Sequence, residues 1–165
     1  MKVLKFGGTS VANAQNIKLV LEIVEQKSRE DKLIVAVSAF SGVTDLLLSA
    51  AQKASSKDDS YRDVALQIEK KHLEAIKELI PANEQTALLH YCKKNISLLE
   101  TLLDGCYLLG ELTARTSDMI VSFGELLSSY IIAEAMKQKL ANSIFKDSRE
   151  LIKTNNNFGK AEVYF

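Results

Sequence analysis

Several things are scarce in this chain, and each scarcity removes a class of protein. Among 165 residues there are two cysteines, two histidines and one proline. Two lone cysteines with no histidine or acidic cluster at ligand spacing make neither a zinc site nor a disulfide framework. Cys92 and Cys106 fall in one helical stretch; along a continuous helix at ~1.5 Å per residue they stand about 21 Å apart and cannot pair. His72 and His90 also fall at helical positions with no metal-ligand company, and are read as ordinary helix residues; no metal site is expected. Neither charge is in excess: Lys+Arg and Asp+Glu are 21 each and the formal net charge is zero. A nucleic-acid partner or an anionic membrane surface would call for a basic footprint, and none is expected here. No apolar run approaches the roughly 18 residues of a spanning helix, and the N-terminus goes straight into a strand pattern without a signal-peptide core, so the expected location is cytoplasmic.

What is present is enough for one domain with a proper core: 47% of the residues are apolar and 25% charged. The organising stretch is the first ten residues. A short apolar strand, residues 2 to 6, runs directly into Lys5-Phe6-Gly7-Gly8-Thr9-Ser10 and then into a helical stripe of Ile17, Leu19, Val20, Leu21 and Val24. Paired glycines let the backbone turn tightly and approach a ligand, amides of the turn and the helix start point into the same space, and Lys5 adds positive charge there. A phosphoryl group in transit suits such a place, because its transfer depends on positioning and charge stabilisation. A tight turn with a solvated lysine is the plain alternative. Neither the Walker A pattern nor the dinucleotide fingerprint can be written through these residues.

Leu33 to Val37 is a continuous apolar run of strand length, the look of a strand buried on both faces, and strand, helix, strand is the order of a parallel unit. It stops at Ser38-Ala39-Phe40-Ser41-Gly42-Val43-Thr44-Asp45, after which helical spacing resumes through Leu46, Leu47, Ala50 and Ala54. Ligands of open parallel sheets bind beyond the strands' carboxyl ends, so the two polar turns should share one crevice. The polar stretch Lys53 to Ser60 leads into a region, residues 61 to 112, without strand signal. Stripes on either side of Pro81 predict an antiparallel helical pair laid beside the sheet. Ser122-Phe123-Gly124-Glu125 then opens a helix of about 15 residues. Its serine and glutamate have capping-box spacing, which would make Glu125 structural; a carboxylate at a helix start opened by Gly124 could equally hold a substrate ammonium. Asn142-Ser143-Ile144-Phe145 reads as another short strand, and a further apolar alternation begins near Ala161 and runs to Phe165, giving the chain the look of an interrupted fold.

In order and spacing, these blocks resemble the aspartate kinases of the amino-acid kinase superfamily. Lys5 to Ser10 with Val11-Ala12-Asn13-Ala14 after it is most similar to the kinase half of bifunctional aspartokinase/homoserine dehydrogenases. Ser38-Ala39-x-Ser41-Gly42-Val43-Thr44 and Ser122-Phe123-Gly124-Glu125-Leu126 are the second and third motifs; Thr154-Asn155-x-x-Phe158-Gly159-Lys160-Ala161 is a weaker fourth. The resemblance implies a three-layer α/β/α fold with a mainly parallel sheet, of which this chain is the N-terminal portion with a helical insert at about 61 to 112. It implies phosphorylation of the L-aspartate side-chain carboxylate by ATP with Mg2+, the entry to lysine, threonine and methionine, in a homo-oligomeric parent protein. It assigns Lys5 to the transferring phosphoryl group, Gly7, Gly8, Thr9 and Ser10 to the phosphate turn, Ser38 and Thr44 to the aspartate, and Glu125 to the aspartate ammonium. Asp45 departs from the asparagine that many relatives carry. The family's later glycine-rich block, with its catalytic aspartate and arginine and most of the ATP pocket, has no counterpart here, so the chain alone is expected to be inactive.

Overall fold

The computed structural model describes residues 1 to 164. In chain order the elements are β1 (Lys2–Phe6), α1 (Ala14–Ser28), β2 (Leu33–Val37), α2 (Val43–Ser55), α3 (Tyr61–Leu79), a 3-10 turn (Ala82–Glu84), α4 (Gln85–Leu109), α5 (Ala114–Lys137) and the short α6 (Ser148–Leu151). β1 and β2 pair in parallel, with Lys2 opposite Leu33, Lys5 opposite Ala36 and Phe6 opposite Val37. This is the α/β parallel arrangement that the sequence predicts.

Period-two alternation decides which side of the sheet is covered. Leu4, Phe6, Leu33, Val35 and Val37 pack against the core, which α1 and α5 complete. Val3 and Ile34, on the other face, are 65% and 50% exposed, and Lys5 and Ala36 share that face. The continuous apolar run of β2 predicts burial on both sides; among the described residues only one side is covered, Leu33, Val35 and Val37 packing on the core while Ile34 and Ala36 stay exposed.

α2 is the central helix. Leu47, Ala50, Ala51 and Ala54 are fully buried, and alanine at successive turns lets α3, α4 and α5 all approach it closely. The helical pair α3–α4 exists as predicted, but it packs on α2 and α5 and reaches α1, rather than lying chiefly against the strands. Gly110 in the left-handed conformation (φ 70°) closes α4. Cys92 and Cys106 are both buried in α4, and burial raises the Cys92 thiol to about 12, so neither is poised for chemistry. α5 is, among the described residues, the one helix long and apolar enough by composition to cross a membrane; half of its apolar window is buried, and it packs on β2, α2 and α4.

Two further sequence expectations need correction. α5 begins at Ala114, where the Thr113 hydroxyl accepts the Thr116 amide at 3.1 Å, so Ser122 and Glu125 are mid-helix and form no capping box. The Ser122 hydroxyl donates to the Met119 carbonyl at 2.7 Å instead. Residues 142 to 145 are not a strand: Ile144 is 87% exposed, and Phe145 turns its ring edge-on to Tyr130 at 5.1 Å rather than joining the β2 ladder. Further on, Thr154 and Val163 form an antiparallel bridge, and the Gly159 amide donates to Asp118 near the start of α5 at 2.7 Å. The expected alternation thus pairs as far as Tyr164; Phe165 lies outside the described residues.

His72, fully buried on α3, is held neutral: burial lowers its pKa to about 4, with Lys71 adding to the effect and the Ile68 carbonyl opposing it. The unfolded chain therefore binds one more proton than the folded chain between about pH 6.5 and 4. This contribution to stability is complete above pH 6.5 and declines as the pH falls to 4, by on the order of 3 kcal/mol. Denaturant unfolding across that range should show His72→Phe with a shallower acid limb than the unaltered chain; parallel limbs would contradict a neutral buried imidazole.

Candidate functional site

Both parallel strands end on the same side, and the loops that leave them are in contact. The Ser38 amide donates to the Phe6 carbonyl at 3.1 Å, extending the ladder by one step beyond β2. In the first turn the Ser10 amide donates to Gly7 at 2.9 Å, and Asn16 donates its side-chain amide to the Thr9 carbonyl at 2.9 Å. Asn13 caps α1 by accepting the Asn16 amide. Gly7 and Gly8 do not use positive φ, and packing does not demand them either: a Cβ at Gly7 would meet nothing within 4 Å, and one at Gly8 only the Ala39 carbonyl at 3.5 Å. What they provide is open space above the turn. The Gly8 and Thr9 amides have no protein acceptor among the described residues, and neither does the exposed Lys5 ammonium have a partner there.

The second loop is a tight turn. The Val43 amide donates to Phe40 at 2.9 Å, and Gly42, at φ 77° and ψ −7°, occupies the third position of a type II turn, where a left-handed conformation is required. α2 starts here without a side-chain cap; the Val43 amide is used by the turn, and the amides of half-buried Thr44 and of Asp45 have no protein acceptor among the described residues. Asp45 is exposed in the first turn of α2, a favourable place for a carboxylate in the field of the helix.

α5 reaches the second of these loops, at the residue that Gly8 of the first turn also approaches. A Cβ built on Gly124 would lie 2.9 Å from the Ala39 Cβ and 3.3 Å from Leu47 Cδ1, so the glycine is what lets the helix reach the loop. One residue on, Glu125 accepts the Ala39 amide through Oε1 at 3.3 Å, and one turn beyond Gly124 the buried Ser128 hydroxyl donates to the Ser38 carbonyl at 2.8 Å. The Glu125 side chain is otherwise exposed, with Oε2 unpartnered among the described residues. All three sequence motifs therefore meet around Ala39. Gly7, Gly8, Thr9, Ser10, Ser38, Thr44 and Glu125 gather at the strand ends; Lys5 sits one residue back on β1, on the open face.

The profile of the amino acid kinase family matches residues 1–162. The chain belongs to this family. Among curated proteins it is 37% identical over 150 residues to the chloroplastic bifunctional aspartokinase/homoserine dehydrogenase 2 of Zea mays, a match covering 91% of this chain and 16% of the relative. It is 38% identical over 134 residues to chloroplastic aspartokinase 1 of Arabidopsis thaliana, covering 79% of this chain and 22% of that protein. Among solved structures, E. coli aspartokinase III in complex with aspartate and ADP superposes with a TM-score of 0.85 at 25% identity, over 98% of this chain and 34% of that one. The amino acid kinase fold is thus the fold of this chain, which spans a minor part of the length of these relatives.

A large cleft lies elsewhere in this amino acid kinase domain. About 1100 Å³ open between α1, β2, the C-terminal half of α5 and residues 142 to 146, walled by groups such as Val24, Val35, Ile132 and Met136. None of the sequence-predicted site residues borders it. Charged side chains such as Arg29, Lys32 and Lys146 line it beside those apolar groups, but none of the three motifs reaches it, so the chemistry is assigned to the strand ends. No His, Cys, Asp and Glu grouping among the described residues could hold a metal ion.

The sequence places Gly124 at a helix start, whereas the structure places it at a helix-to-loop contact. Ser128 carries no motif signal of its own; its only sequence cue is that it stands one turn from Gly124 and so shares its face. Gly124→Ala should gain roughly 1 kcal/mol of helix propensity and lose about 1–3 kcal/mol to overpacking. Net destabilisation in urea unfolding, relieved when Ala39→Gly is combined with it, is the expected double-mutant result; additive effects would contradict the contact.

Proposed function

We propose that this chain is the acceptor-binding half of an aspartate kinase, the part of a longer catalytic domain that binds L-aspartate and meets the transferring phosphoryl group. The observation that carries this reading is Glu125: a carboxylate anchored by one oxygen on the Ala39 amide, in the loop between the end of β2 and the start of α2, with its other oxygen unpartnered among the described residues. Glu125 binds the substrate ammonium, Ser38 and Thr44 orient the amino acid, and the side-chain carboxylate is thereby directed toward the Gly7–Ser10 turn. Relatives named as aspartokinases, and a neighbour solved with aspartate and ADP, support the choice of substrate and nucleotide.

In the reaction a carboxylate oxygen of aspartate attacks the γ-phosphorus of ATP and the bond to the β–γ bridging oxygen breaks, giving 4-phospho-L-aspartate and ADP without a proton transfer. Two anions must approach, so the chemistry needs positive charge and amide donors more than a base. Lys5 and the Gly8 and Thr9 amides supply them. Among the described residues no group of three or more His, Cys, Asp or Glu side chains could hold a metal ion; Mg2+ would be held by the nucleotide and by residues outside this chain. Most of the ATP site lies outside as well, and the chain alone does not turn over. The parent protein works as a homo-oligomer at the first step toward lysine, threonine and methionine.

Trapping acyl phosphate with hydroxylamine tests this reading, with ATP, magnesium and either L-aspartate or L-glutamate. The full-length protein should give an aspartate-dependent product and the 165-residue chain none. Glu125→Gln should raise the aspartate KM about 10- to 100-fold, the worth of one hydrogen bond to a charged group. Product with glutamate alone would indicate a glutamate kinase instead, and no product with either would favour a non-catalytic amino-acid-binding or assembly module.

A further inference from the structure

α5 holds Ser38 and Ala39; the next two residues of the loop are held by α3. The half-buried Lys71 donates its ammonium to the Ser41 carbonyl, 30 positions away in sequence. The adjacent His72 stacks its ring on buried Phe40, with centroids 5.1 Å apart and planes at 27°. Its Nδ1 donates to the Ile68 carbonyl at 2.7 Å, while Nε2, buried, has no partner among the described residues. Burying a histidine with a bare nitrogen is costly, and the stack of its flat ring on Phe40 is the contact that an aliphatic side chain could not make.

The bond from Lys71 falls at a decisive atom. Phe40 to Val43 form a type II turn with Ser41 and Gly42 at its centre. Types I and II differ by a flip of the central peptide, here the Ser41–Gly42 peptide, and glycine in the third position tolerates both. A lysine bonded to the Ser41 carbonyl selects one of the two orientations. In a trans peptide the N–H points opposite to the C=O, so the Gly42 amide is turned away from α3. That amide has no protein acceptor among the described residues.

We propose that Lys71 and His72 are positioning residues that lock the Ser38–Thr44 loop as a type II turn and so present the Gly42 amide as a donor to a carboxylate of the acceptor amino acid. The role of the acceptor rests on the function proposed above; the lock itself does not. The helical subregion thereby becomes part of the binding site without touching the substrate.

Two readouts separate these claims. In the 165-residue chain, backbone chemical shifts of Ser41 and Gly42 report the turn type. They should keep type II values in Lys71→Arg and His72→Phe, and move toward type I or averaged values in Lys71→Met and His72→Ala. In the full-length protein Lys71→Met should raise the aspartate KM about tenfold or more, leave the ATP KM within about twofold, and recover in Lys71→Arg; a misplacement of ~1 Å can cost on the order of 100-fold. Unchanged turn shifts in both disruptive variants would overturn the lock, and an unmoved aspartate KM despite a changed turn would overturn its role in acceptor binding. A wild-type protein that does not phosphorylate aspartate would count against the functional reading, and the turn shifts alone would then decide the lock.

Discussion

The contact between the α5 backbone and the Ala39 loop is the constraint on which the rest depends. A helix cannot normally approach a strand-to-helix loop so closely, because its own Cβ atoms stand in the way; at Gly124 there is none. That single omission brings Glu125 within reach of the Ala39 amide and Ser128 within reach of the Ser38 carbonyl. It also presses Leu47 and Val43 of α2 against the same spot, so the centre of the helical core and the edge of the site are one packing problem. A substitution there is felt by stability and by binding geometry together.

The strand-turn-helix units at both ends of the site were legible, because a short apolar run, a polar turn with glycine and a 3.6-residue stripe are each strong local signals. The helical pair was legible for the same reason. What could not be read was long-range. Ser122 and Glu125 have the spacing of a capping box, yet the local signal that starts α5 is Thr113, and the partner that claims Glu125 is a loop 86 positions away. Lys71 and His72 are unremarkable in a helical stripe; only the fold shows which loop they face. Residues 142 to 145 have strand composition, but strand formation needs a paired edge, and here Phe145 is engaged by Tyr130.

β1 and β2 also carry a message in their alternation. Val3 and Ile34 form an apolar strip on the face that also bears Lys5. Two strands of such composition are ordinarily covered on both sides. A chain spanning 34% of the aspartokinase III structure that it superposes on, and 16% of a bifunctional relative, leaves ample family sequence to supply a second layer. On the proposed reading that layer would bring the nucleotide to the side of the sheet where Lys5 already stands unpaired.

The acceptor loop would then lie between two helices that constrain different atoms. α5 fixes the amide of Ala39 and the carbonyl of Ser38, and α3 fixes the carbonyl of Ser41 and the ring of Phe40. Four successive residues are held before any ligand arrives, which matters because phosphoryl transfer between two anions gains little from covalent help and much from donors that need no reorganisation. The same arrangement explains why a helical insert is packed onto α2 rather than onto the strands: α2 begins at the loop, and helices that grip α2 along its length are placed to reach the turn at its start. Ordering entropy that a flexible glycine turn would otherwise charge against binding is already met in folding.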